Sequence, residues 1–165
     1  VTLDVGSQSG VTSDMTVVNG DGLVGRVIEA GPRTSTVLLA VDGTSAVGAR
    51  LESTRKIGVV KGGALPGGPE AEMTYELFDM ETPVDPGDRV VTLGSHEGAP
   101  FVPGVPIGSV EEVEVSPGAL SRIASVTPSV DFASLDLVGV VVAGPAEDPR
   151  DSVLPPEPDP EEDDR

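Results

Sequence analysis

Short runs in which apolar and polar residues alternate, cut every few positions by glycine or proline, constrain this chain more than any other feature. Alternation with period two gives a strand one apolar face, whereas an amphipathic helix needs apolar residues three and four apart. No stretch combines helical spacing with capping residues, and 21 glycines and 16 prolines punctuate the sequence. The segment Val1-Thr2-Leu3-Asp4-Val5 alternates cleanly, as a half-buried strand does. Between turn signals the predicted strands are Val1–Gly6, Met15–Asn19, Leu23–Ala30, Thr34–Val41, Ala46–Ser53 and Ile57–Lys61, then Met73–Phe78, Arg89–Leu93, Pro106–Val115, Ser121–Thr127 and Leu135–Ala143. With three Phe, one Tyr and no Trp, the core must be built from aliphatic side chains.

The glycine- and proline-rich segment from Lys61 to Pro69 carries no periodicity and predicts a boundary between a first unit, 1–63, and a second, 64–146. Strand, glycine turn and strand recur in both. Asp14-Met15-Thr16-Val17-Val18 followed by Gly25-Arg26-Val27-Ile28-Glu29 is echoed by Asp88-Arg89-Val90-Val91 and Gly108-Ser109-Val110-Glu111-Glu112. The expected fold is therefore all-β, with two small, similar six-stranded-type β-barrels in tandem. Glu111-Glu112 interrupts an alternating run and predicts a β-bulge. Residues 147–165 hold nine acids, two arginines and five prolines, a composition expected to stay disordered.

Several function classes fall away on composition. The net charge of −18 argues against a nucleic-acid partner. Without cysteine there are no disulfides or thiolate metal sites, and one histidine with scattered acids predicts neither metal nor cofactor. Gly20-Asp21-Gly22-Leu23-Val24-Gly25 matches the pattern of a dinucleotide-binding loop, but that loop must open a helix. Here β-branched residues and Gly31-Pro32 follow, so the stretch reads as a hairpin whose Asn-Gly and Asp-Gly pairs supply positive φ angles. Paired six-stranded barrels are also the architecture of chymotrypsin-like proteases, where the catalytic histidine lies in the first barrel. The one histidine, His96, falls in the second unit and reads as an exposed loop residue, so no catalytic residue is assigned. Glu111 and Glu112, one residue apart on a strand, should point to opposite faces, which argues against shared acid/base work. The longest apolar run is far short of a membrane span, and the start at Val1 predicts a piece of a longer protein.

A binding surface is the remaining chemistry. Ala99 to Gly108 places Phe101, Val102, Val105 and Ile107 among prolines that preset an extended backbone, which suits either a docking hairpin or packing at a barrel mouth.

Gly22-Leu23-Val24-Gly25-Arg26-Val27, Pro103-Gly104-Val105-Pro106-Ile107-Gly108 and Val130-Asp131-Phe132, with their surroundings from Val1 to about Val142, resemble the extracytoplasmic part of the MreC family, the rod shape-determining proteins of bacteria. The resemblance implies barrels of chymotrypsin-like architecture without a catalytic triad. It also implies a non-enzymatic scaffold on the extracytoplasmic side of the plasma membrane, anchored in full length by one membrane helix that this chain lacks. Implied partners are a class B penicillin-binding transpeptidase, MreD and MreB, with self-association into dimers or filaments. Val102 inside the Phe-Pro-Gly run and the acidic tail depart from the family pattern. A trypsin-like hydrolase and a small-ligand module remain the alternatives.

Overall fold

The computed structural model describes residues 1–63, 73–79, 81, 83–95, 99–114 and 122–144. Among these residues eleven strands form: β1 (Thr2–Leu3), β2 (Thr16–Val18), β3 (Leu23–Ala30), β4 (Ser35–Leu39), β5 (Ala46–Leu51), β6 (Ile57–Gly62), β7 (Met73–Leu77), β8 (Arg89–Thr92), β9 (Pro106–Glu114), β10 (Arg122–Pro128) and β11 (Gly139–Val140). Each overlaps one predicted run, because alternation and turn residues are local signals. A 3-10 turn at Ser7–Ser9, closed by Gly10 at φ 85°, was not predicted.

The strands build one open five-stranded sheet, in the order β1-β4-β3-β2-β11, and one closed barrel, β10-β7-β6-β5-β8-β9. All described strand pairings are antiparallel. The all-β architecture agrees with the sequence, but the division of strands does not follow the boundary expected between 1–63 and 64–146. β5 and β6 belong with β7–β10, and β6 pairs with β7 from Gly58↔Leu77 to Gly62↔Met73. The glycine- and proline-rich segment thus lies between two hydrogen-bonded neighbours. One unit closes into a barrel; the other remains an open sheet whose last strand, β11, returns from the C-terminal side to pair with β2. The tail 147–165 lies outside the described residues.

The repeated strand–turn–strand unit is real in hydrogen bonding, but its register is shifted by one residue from the letter match. Val17 faces Gly25 in the open sheet and Val90 faces Gly108 in the barrel. Val17 is therefore equivalent to Val90, and Asp14 to Gly87: Asp14 N–H donates to the Val27 carbonyl as Gly87 N–H does to that of Val110. Val91, the letter match of Val17, is buried as well, so the offset is read from the hydrogen-bonded ladder and not from burial.

The bulge predicted at Glu111-Glu112 is present. Ser125 faces Glu112 and Val126 faces Val110, leaving Glu111 unpaired in the ladder. Contrary to the expectation of opposite faces, both glutamates are exposed, because the extra residue resets the alternation.

Two cores result. The barrel encloses Leu51, Val60, Met73, Tyr75, Leu77, Ile107 and their neighbours, together with Leu23, Ala40 and Val41 from the open-sheet part of the chain. The open sheet has its own buried cluster, composed of Val11, Val17, Val24, Val27, Val37 and Val130. Tyr75 donates its hydroxyl to the Lys56 carbonyl at 2.9 Å, and its ring occupies space that a side chain at Gly58 would take. Burial pushes its phenol well above the ordinary range, so it stays a neutral donor.

Candidate functional site

The segment singled out in sequence, residues 99–108, connects β8 to β9 and lies where barrel and open sheet meet. Phe101, Val102 and Ile107 are buried; Val105 is half-buried against the barrel core. Of the two readings left open by the sequence, packing at the barrel mouth is what these side chains do.

Two buried threonines pin the segment. Thr92 Oγ1 donates to the Val102 carbonyl at 2.6 Å and accepts from Val105 N–H at 2.9 Å. Thr16, on β2 of the open sheet, donates to the Pro100 carbonyl and accepts from Val102 N–H, both at 3.0 Å. One hydroxyl thus satisfies two backbone groups of the neighbouring unit. Sequence reasoning passed over both residues: each sits beside buried valine on a strand buried on both faces, so alternation does not single it out.

Gly22 meets the same junction. A Cβ there would collide with the Pro106 carbonyl oxygen. The hairpin reading of Asn19–Gly22 holds, since β2 and β3 pair, but its geometry differs from expectation. Neither Gly20 nor Gly22 is among the glycines with positive φ. Instead the Asn19 side-chain oxygen accepts from Asp21 and Gly22 N–H at 2.9 and 3.0 Å, an Asx turn. Gly22 is required by close approach of another backbone rather than by turn conformation.

The third motif completes the junction. Ser129 N–H donates to the Ile107 carbonyl, Val130 enters the open-sheet core, and Phe132 packs against both cores. Asp131 holds this turn by accepting from Ala133 N–H at 2.9 Å and Ser134 Oγ at 2.6 Å. The Ser134 hydroxyl, then the Ala133 amide, lower its carboxyl below the usual range. Asp42 does the same at the earlier crossing from β4 to β5, where the Thr44 hydroxyl and amide lower its carboxyl. The three sequence motifs, far apart in the chain, therefore meet at one joint.

Among the described residues, titratable groups do not converge in this way. His96 lies outside the described residues, and among those described no group of three or more His, Cys, Asp or Glu could hold a metal ion. No helix among them is long and apolar enough to cross a membrane.

A family profile, "Rod shape-determining protein MreC, barrel core", matches residues 1–142. The cell shape-determining protein MreC of Listeria monocytogenes is 32% identical over 143 residues, covering 86% of this chain and 47% of that protein. The chain thus spans about half the length of that relative. A solved MreC structure from Listeria monocytogenes superposes with a TM-score of 0.73 at 30% identity, covering 89% of this chain and 71% of the other. A structure described as the complex between penicillin-binding protein PBP2 and MreC from Helicobacter pylori shares the fold, with a TM-score of 0.53, 17% identity and coverage of 68% and 65%. By its sequence, its two sheets and the joint between them, the chain belongs to the MreC family and carries its barrel core.

Proposed function

We propose that this chain is the extracytoplasmic, non-enzymatic part of a scaffold for cell-wall elongation, acting by binding a class B penicillin-binding transpeptidase. The observation that supports it is membership of the MreC family, together with a Helicobacter pylori relative of the same fold in complex with PBP2. MreD, MreB and other copies of the chain are further partners in this reading, and a single membrane helix outside this chain anchors it. Binding influences the transpeptidase only if the scaffold prefers one of its arrangements, since equal affinity for two states shifts neither.

The test is a titration of this chain against the soluble ectodomain of the same organism's elongation transpeptidase. Saturable binding is expected. Its absence, with the rest of the scaffold's extracytoplasmic region restored, overturns the reading. Phe101→Asp is unsuitable as a probe of contact: Phe101 is buried, so the variant reports on folding.

A further inference from the structure

Three of the large apolar side chains exposed among the described residues share one region of the barrel exterior: Ile57 on β6, Phe78 directly after β7, and Ile123 on β10. These strands are consecutive around the barrel. Half-buried Val59 faces Glu76, which in turn faces Ile123, and Phe78 continues the ladder beside Ile57. Phe78 is 61% exposed, unusual for a phenylalanine that no core requires.

The same region departs from the charge of the chain. Residues 50–61, 73–79 and 122–123 hold five basic residues, Arg50, Arg55, Lys56, Lys61 and Arg122, against three acids, Glu52, Glu76 and Asp79, while the chain carries −18. Lys56 pairs with Asp79 at 2.7 Å and Lys61 with Glu76 at 2.8 Å, while Glu52 is engaged by Arg89 of β8 at 3.1 Å. Arg50, opposite Ile57, has a buried Nε without an acceptor. On the far side of β10, exposed Glu111, Glu112 and Glu114 of β9 form an acidic border.

We propose that the outer face of β6, β7 and β10 is the docking surface for the transpeptidase, an inference that rests on the function proposed above. The segment it takes carries apolar side chains at its centre, over Phe78, Ile57 and Ile123, and carboxylates on the side facing Arg50 and Arg55. An aromatic anchor ringed by charges is the arrangement that concentrates binding energy while the rim sets orientation. The border on β9 repels an acidic segment laid the other way. A second copy of the chain, whose β9 border is acidic, is the competing occupant, and the experiment separates the two.

The experiment titrates the transpeptidase ectodomain with the wild-type chain and with Phe78→Asp, Ile57→Lys, Arg55→Glu and Leu137→Asp. Leu137 is 85% exposed and belongs to the segment leading to β11, away from this face. Phe78→Asp and Ile57→Lys should each weaken binding at least tenfold, Arg55→Glu severalfold and more at low salt, and Leu137→Asp less than twofold. Melting temperatures within a few degrees of wild type confirm that the variants fold. Wild-type binding that neither Phe78→Asp nor Ile57→Lys alters overturns the docking surface but leaves the proposed function standing; no wild-type binding, with the rest of the extracytoplasmic region restored, removes the function itself. A change in molar mass by light scattering for Phe78→Asp, with transpeptidase affinity unchanged, assigns the face to a second copy and also overturns the proposal.

Discussion

The closed barrel and the open sheet handle the same problem, exposed strand edges, in opposite ways. Every barrel strand has two hydrogen-bonded neighbours, so the unit has no edge. The open sheet has two edges, β1 and β11, and each is two residues long. Short edges offer little template for another chain. The cores differ in kind as well: the barrel holds Tyr75, Met73 and several leucines, the open sheet a cluster of buried valines. Leu23 belongs to a strand of the open sheet yet packs in the barrel core. The open sheet therefore depends on the barrel for part of its packing, and closure of one unit substitutes for closure of the other.

The strongest way to break this comparison is Leu23→Ala. It leaves a cavity in the barrel from a position on the open sheet, and a loss of about 2–5 kcal/mol is expected. A single lowered transition in thermal unfolding is the predicted outcome; two transitions, with the barrel's unchanged, would show that the units fold independently. Thr16→Val comes next. It strands the Val102 amide and the Pro100 carbonyl, for about 1–3 kcal/mol, and hydrogen exchange at Val102 should rise more than exchange within β5–β7. Equal increases everywhere would deny the joint a local role. Tyr75→Phe removes one buried hydrogen bond inside the barrel, about 1 kcal/mol by urea denaturation, without affecting exchange at the joint.

The smallest effect concerns pH. Asp42 and Asp131 are both held below the usual carboxylate range by hydrogen bonds at the two crossings between the units. A depressed folded-state value gives stability that is present above the unfolded value, about 4, and is lost as pH falls through the folded value. Melting temperature should therefore decline below about pH 4, and Asp131→Asn should flatten that decline slightly. An unchanged profile in the Asp42→Asn, Asp131→Asn double variant would remove the crossings from the acid response.

Much of the joint was visible as letters before it was visible as structure. Gly22-Leu23-Val24-Gly25, the proline run at 103–108 and Val130-Asp131-Phe132 stood out, yet nothing in their spacing said that they touch. Gly22 read as a turn glycine because its neighbours suit a turn; its contact partner, Pro106, is 84 residues away. Phe101 and Val102 read as surface or core with equal ease, since prolines fix backbone direction and not which side faces the interior. The exterior face at Phe78 drew no attention, because an alternating strand that ends on an apolar residue looks the same whether that residue is covered or bare.

The sequence by itself determined the strands of the described residues and the bulge at Glu111, which follow from alternation and from residues acting on their immediate backbone. Only the tertiary structure decided that β5 and β6 close a barrel with β7–β10, that the repeat is offset by one residue, and that β11 returns to β2. Those choices rest on which distant strand offers the better partner and which face it buries. A local pattern fits several such pairings, and only the packed whole distinguishes them.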